Sequence, residues 1–281
     1  MAASDPTPFA PTPGRVGRSD PARVESVTAA LRAKDYRNGG GSCHDDALAE
    51  LNSVRPLLAA RATDPVARRL TVAVADLHGL VGWACFDIGR VRPAMAHFRQ
   101  ALRLARDGGD DALLAGIHYR IGRVRLHHNA LAEALAQFQR GDEVARRSGS
   151  DRAVAIMCAN QAWAYAKMGL AADSTASLRR AGTAFDAAEG TEPPRWAAFF
   201  DATDFSAITG VIHTELAALV DVSHTRLALP ALTAAVDGFG DAMARSRAFC
   251  LISLAVSHLL DGDVDQAVAV AGRVLGAAQG L

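Results

Sequence analysis

The sequence predicts an all-α protein, a superhelical array of antiparallel helix hairpins, and three observations carry that prediction. The stretches LVGWACFDIGRVRPAMAHFRQAL, RIGRVRLHHNALAEALAQFQRGD and QAWAYAKMGLAADSTASLRRAG superimpose when shifted by 40 residues, the distance from Gly82 to Gly122 and from Gly122 to Ala162. In that alignment Gly89, Asn129 and Gly169 coincide, then the small Ala94, Ala134 and Ser174, then the large Phe98, Phe138 and Leu178. A residue able to turn left-handed, set between small residues and followed by a large apolar one, is the pattern of two helices in close approach. Alanine and leucine dominate while aromatics are 6% of the chain, which favours packed helices over sheets. The segments between hairpins, Asp107-Gly108-Gly109-Asp110 and Ser148-Gly149-Ser150-Asp151, are short and polar, so consecutive helices must run antiparallel.

Residues 1–20 are rich in Pro, Ala, Ser and Thr and read as a disordered tail, because they bury too little apolar surface to offset ordering entropy. One helical repeat domain then spans 21–281. Ser19-Asp20-Pro21 is a helix start leading into PARVESVTAALRAKDY, which Asn38-Gly39-Gly40-Gly41 stops; the glycines read as a flexible break. A second helix runs from about Asp45 to Leu58 on Leu48, Leu51, Val54 and Leu58. Asp64-Pro65 opens a third, which continues through Trp83 to Ile88. The regular rhythm comes next: Arg92 to Arg106, Asp111 to His128, Ala130 to Arg147, Arg152 to Met168, Ala171 to Glu189. TEPPRW interrupts it, and 196–238 reads as a longer, irregular hairpin, Trp196 to Val220 and Ser223 to Gly238. Arg247 to Leu260 and Asp263 to about Gln279 restore the pattern, with Gly262 in the turn. The clearest repeats are 75–108, 115–148, 155–188 and 248–281.

Charge and composition narrow the function. With 30 basic and 30 acidic residues the chain has no net field to recruit nucleic acid or an anionic membrane, so no direct nucleic-acid binding is expected. No uncharged apolar run approaches the roughly 18 residues of a membrane span, and the N-terminus lacks the apolar core of a signal peptide. Cys43, Cys85, Cys158 and Cys250 are scattered singly, which fits small buried hydrophobes in a reducing cytoplasm.

Catalytic signatures are missing: there is no HExxH, GxSxG or GxGxxG, and no Lys-Ser/Thr follows Gly39-Gly40-Gly41. Cys43-His44-Asp45-Asp46 gathers ligand types, yet adjacent helical residues diverge around the axis, and Asp45 and Asp46 suit a first turn through the helix dipole. His78 and His118 occupy one position of consecutive units, where they can stack along the array, although the position usually serves half-buried packing. The expectation is a binding protein with no catalytic residue, no metal and no cofactor.

The spacing of small, turn, small and large residues resembles the tetratricopeptide repeat. With Gly82 at the first small position, the unit continues with Gly89, Ala94, Phe98 and Ala101; the longer 40-residue spacing makes these divergent repeats. More specifically, AALRAKDYRNGGG followed by LHGLVGWACFDIGRVRPAMAHFRQALRLARDGGD resembles the C-terminal repeat region of actinobacterial XRE-type helix-turn-helix transcriptional regulators, a sensing and dimerising module. Only about 20 residues precede the first matching helix, so the DNA-binding function of those regulators is not carried over. The array is also expected to stop at GAAQGL without a polar capping helix, leaving Val270, Val274 and Leu275 to be covered by a partner surface such as a second copy of the chain, a homodimer through the C-terminal edge.

The resemblance implies a site as well, because the first helix of each unit lines the concave groove. With Ala75, Ala115 and Ala155 as first positions, the ninth positions are Trp83, Arg123 and Trp163 and the thirteenth are Asp87, His127 and Lys167, joined by Phe86 and Tyr119. Tryptophans flanking an arginine make a recognition surface. A peptide or a linear segment of a protein partner would suit it, with Arg123 and Lys167 available to a carboxylate. Other readings of the same residues are interhelical core for Trp83 and Trp163, and capping of a helix end for His127-His128. The functional alternatives are a constitutive scaffold without a sensed ligand and a helical-array metal hydrolase using His127 and Asp87.

Overall fold

A computed structural model describes residues 14–278, and these form twelve α-helices and no strand. In chain order the helices are α1 Ser19–Asn38, α2 His44–Val54, α3 Asp64–Asp87, α4 Val91–Gly108, α5 Asp111–His127, α6 Leu131–Arg147, α7 Asp151–Lys167, α8 Ala171–Ala187, α9 Ala202–Leu219, α10 Thr225–Gly238, α11 Ala244–Asp261 and α12 Val264–Ala278. From α3 onward each odd helix packs against the even helix after it, and α3, α5, α7 and α9 pack side by side.

The repeat signature explains the hairpins residue by residue. Gly89, Asn129 and Gly169 take φ of +78°, +56° and +73°, the left-handed turn that reverses the chain. Phe98 and Phe138 are fully buried, and a Cβ added to Gly82 would lie 2.8 Å from the Phe98 ring. At the equivalent Gly122 the Phe138 ring is closer still. Asp110 and Ser150 then cap α5 and α7 by accepting from the backbone N–H of Leu113 and Ala153, satisfying donors that a helix start leaves open.

Four local expectations need correction. Of the 1–20 tail, residues 1–13 lie outside the described residues, but Val16 is buried and its N–H donates to the Arg61 carbonyl, so apolar burial orders residues just ahead of α1. The glycine run is a close contact where a flexible break was expected: Gly40 is buried against Ala84 and Asp87, where a Cβ would sit 2.8 Å from both. α2 ends at Val54, because Pro56 lies in a tight 3-10 turn over Arg55–Ala59. The helix expected from Trp196 begins at Ala202; Pro193 and Pro194 hold the preceding chain extended, and Asp201 caps α9 through the N–H groups of Thr203 and Asp204.

At the C-terminal edge Val270 is 5% exposed, packed into a second core with Leu232 and Leu254, and Val274 packs on that core. The exposed apolar side chains there are Val264, Val268 and Leu275. Two helical stretches, Asp64–Asp87 and Asp241–Asp261, are long and apolar enough to cross a membrane by length and composition. The first is mostly buried as a core helix, and the second packs on α9, α10 and α12.

His78 and His118 do not stack on each other along the array; they sit in packing positions within their own hairpins. His78 Nδ1 lies 3.1 Å from His97 Nδ1, and His118 Nδ1 2.9 Å from Gln137 Oε1, in each hairpin the position 19 residues on. His213 and His224 form a similar pair at 3.0 Å. Burial, then the neighbouring imidazole, pushes His78 and His213 down to about 4, and burial lowers His97 and His118 from 6.5. An unfolded chain takes up these protons as the pH falls through 6.5, whereas the fold resists, so their stabilisation is present above 6.5 and lost toward 4. Burial raises Asp35 to about 6 and Asp204 to about 8, and these carboxyls oppose the histidines by favouring the fold as the pH falls. The double substitution His78→Asn/His213→Asn is therefore expected to flatten the acid side of a melting-temperature profile between pH 6.5 and 4. Identical slopes in the two proteins would remove these imidazoles from the acid response.

Candidate binding cavity

The superhelix curves until its ends meet. α1 packs on α3 and also on α11 and the turn Asp241–Met243, so the concave face becomes a cavity of about 560 Å³. A polar clasp holds this seam: the Arg245 guanidinium of α11 lies 2.6 Å from Asp87 Oδ1 of α3, and Gly40 donates its backbone N–H to Asp87 Oδ2 at 3.0 Å. The buried backbone of Gly40 is what lets that N–H reach the carboxylate.

Aromatic rings make up much of the wall. Tyr119 stacks between Trp196 and Phe199, and Tyr36 of α1 tilts against Phe199. Trp196 is held by its indole N–H, which donates to the Ala112 carbonyl at 2.7 Å, and by Gly116, where a Cβ would lie 2.6 Å from the indole. Arg123 lies 4.8 Å over the Trp163 ring and donates to the Tyr119 hydroxyl at 3.1 Å. Phe86 bridges Trp83 and His127, and His127 is exposed overall. Desolvation, then the cations Arg123, Arg245 and Lys167, hold His127 below the ordinary imidazole range and thus neutral.

Such a concave, aromatic-lined cavity with a few polar groups has the size and character of a site for a small molecule or a short peptide. It is built from stacked hairpins throughout. The fold is a tetratricopeptide-like helical superhelix. Two solved structures share it: the apo form of RapI, with a TM-score of 0.63 at 11% identity over 93% of this chain and 84% of that one, and BtubC (BKLC) from P. vanneervenii, with a TM-score of 0.57 at 16% identity over 84% and 89%. No family model and no curated protein matches the chain. At these identities the likeness concerns the fold alone.

Of the residues expected in the groove, Trp83, Phe86, Asp87, Tyr119, Arg123, His127 and Trp163 line the cavity. Both tryptophans also pack against the hydrophobic core, so wall and core are not exclusive roles here. Lys167 is not in the wall; its Nζ lies 3.1 Å from Glu215 Oε1 of α9, which also accepts from the Trp163 indole. It is therefore not a free cation for a ligand carboxylate. Asp87 is likewise committed to Arg245 and Gly40, and among the described residues no three His, Cys, Asp or Glu side chains converge as a metal would need.

Several wall residues escape a reading of the repeats. Arg32, Asp35 and Tyr36 come from α1, Trp196 and Phe199 from the loop before α9, and Arg245 from α11, all outside the regular units. Arg120 and Asn160 had a visible signal: they are the 40-residue equivalents of Leu80, and all three line the cavity. A charge and an amide where the first unit carries leucine mark a position that the fold alone does not require to be polar.

Proposed function

We propose that the chain is a non-enzymatic, cytoplasmic binding and sensing module related to transcriptional regulators, which takes a peptide or a short segment of a protein partner into the cavity. The observation that supports this most is the shared aromatic lining. All three tryptophans of the chain, Trp83, Trp163 and Trp196, line one cavity that the α1–α11 seam closes. Seam opening links occupancy to superhelical curvature, and a ligand that binds one curvature better shifts the balance toward it. Four buried free thiols suit a reducing compartment.

The exposed apolar residues Leu259, Val264, Val268 and Leu275 favour a second component of this reading, a homodimer through the C-terminal edge. One preparation tests both. Affinity capture from native cytoplasm, with wild type beside Trp83→Ala/Arg123→Ala/Trp163→Ala, is expected to retain a partner on wild type alone; equal recovery sinks the cavity. Sedimentation of the same wild-type sample is expected to give twice the chain mass, and a monomer at tens of micromolar removes the dimer.

A further inference from the structure

We propose that the cavity is built for a peptide-type anion: a carboxylate with a neighbouring amide N–H on an apolar body, its acid group seated on Arg120. This rests on the reading of the cavity as the binding site. Arg120 projects from α5 and is 7% exposed, and its Nη1 is buried with no hydrogen-bond partner. Gly79 of α3 makes room for it, since a Cβ there would lie 3.1 Å from that Nη1.

Each of the other wall guanidinium groups has a partner for a terminal nitrogen, although Nε of Arg32 and of Arg123 has none. Arg32 lies 2.6 Å from Asp76, Arg245 holds Asp87, and Arg123 is bound to Tyr119 and spread over Trp163. Arg120 instead faces like charge on Arg32; of the two acidic groups whose charge it feels, Asp76 is held by Arg32 and Asp35 makes no hydrogen bond to it. A guanidinium does not discharge by losing its proton, so burying it without a hydrogen-bonded counterion is costly. An anion arriving from outside removes that cost, and a carboxylate matches the planar fork of donors.

The acceptors beside it complete the pattern. Asp35 is 2% exposed and Asn160 1% exposed; both residues line the cavity, and each has a buried Oδ1 without a partner. A ligand with an acid alone would leave both oxygens unsatisfied, whereas one with an amide N–H beside the acid serves donor and acceptors together. The C-terminus of a peptide and a free N-acyl amino acid share this chemistry. The aromatic wall then takes the apolar side chains.

Three probes test the proposal on the full chain: N-acetyl-leucyl-phenylalanine as free acid, the same compound as its C-terminal amide, and N-acetyl-phenylalanine as free acid. Tryptophan emission reads the cavity directly, and thermal melting reads stability. The acids are expected to bind at least about tenfold more tightly than the amide. Arg120→Met is expected to abolish that preference yet melt no lower than wild type without ligand, and Arg120→Lys to keep the preference at lower affinity. Tighter binding of the dipeptide acid assigns the source as a peptide end, and tighter binding of the single residue assigns it as a small acid. Equal binding of acid and amide overturns the inference and leaves the cavity reading intact. An Arg120→Met protein that melts well below wild type, with Arg120→Lys showing no acid preference, overturns it as well, by making the arginine structural. No emission change with any probe at millimolar concentration overturns both readings.

Discussion

Arg245→Ala is expected to lower the stability of the protein by about 3 kcal/mol, the scale for leaving one member of a buried ion pair without its partner. The Asp87 side chain is 6% exposed, and after the substitution it keeps only the Gly40 N–H as a hydrogen-bond partner. The loss falls on the seam between α1 and α11, so the cavity should become wetter before the protein unfolds. Tryptophan emission should shift to the red and become more accessible to acrylamide, since Trp83, Trp163 and Trp196 all face the cavity. Adding Asp87→Asn should restore most of the stability, because the amide oxygen still accepts from Gly40 but carries no charge to strand. If Arg245→Ala melts with wild type, or if Asp87→Asn adds a second full loss on top of it, the clasp does not hold the seam.

The hairpins from α3 to α8 were legible because their determinants are close in sequence. Gly89, Asn129 and Gly169 each reverse the chain, and each faces consequences within about ten residues, at Ala94 and Phe98 or their equivalents. The inward positions came from the same period, which is why Trp83, Arg123 and Trp163 share one wall. What the period does not carry is pairing across the array. Arg245 and Asp87 are 158 residues apart, and Lys167 and Glu215 are 48 apart. Neither partner has a feature that names the other. Gly39-Gly40-Gly41 looks like a loop by composition, but only the presence of α3 behind it decides that Gly40 is a contact.

The irregular segment is the most instructive of the differences. Pro193 and Pro194 end the rhythm, and the chain then enters a loop that carries Trp196, Phe199 and Phe200 inward; Trp196 lies on Gly116 with its N–H on the Ala112 carbonyl. A break in a repeat array looks like a loss of order from sequence, because periodicity is the only signal being read. Here the break furnishes much of the aromatic lining. Regular hairpins supply the curvature that encloses space, and the nonrepeating parts fill and close it: α1 as a lid, this loop as a wall and Arg245 as the clasp.

Within the hairpins, Gly122→Ala is expected to cost about 1–3 kcal/mol despite the higher helix propensity of alanine, a gain of roughly 1 kcal/mol that overpacking outweighs. An added Cβ meets three atoms of the Phe138 ring, and Phe138 is fully buried. The chain itself contains the compensated pair. In the third unit the equivalent positions are Ala162 and Leu178, a larger residue facing a slimmer one. Phe138→Leu alone should also destabilise, by leaving unfilled space where the ring edge was. The double substitution Gly122→Ala/Phe138→Leu should then recover stability relative to the sum of the single losses, giving a favourable coupling of about 1 kcal/mol or more. Chemical denaturation of the four proteins measures that coupling. Simple additivity would mean that the two units pack their helices differently, and that the 40-residue alignment of Gly122 with Ala162 does not describe equivalent contacts.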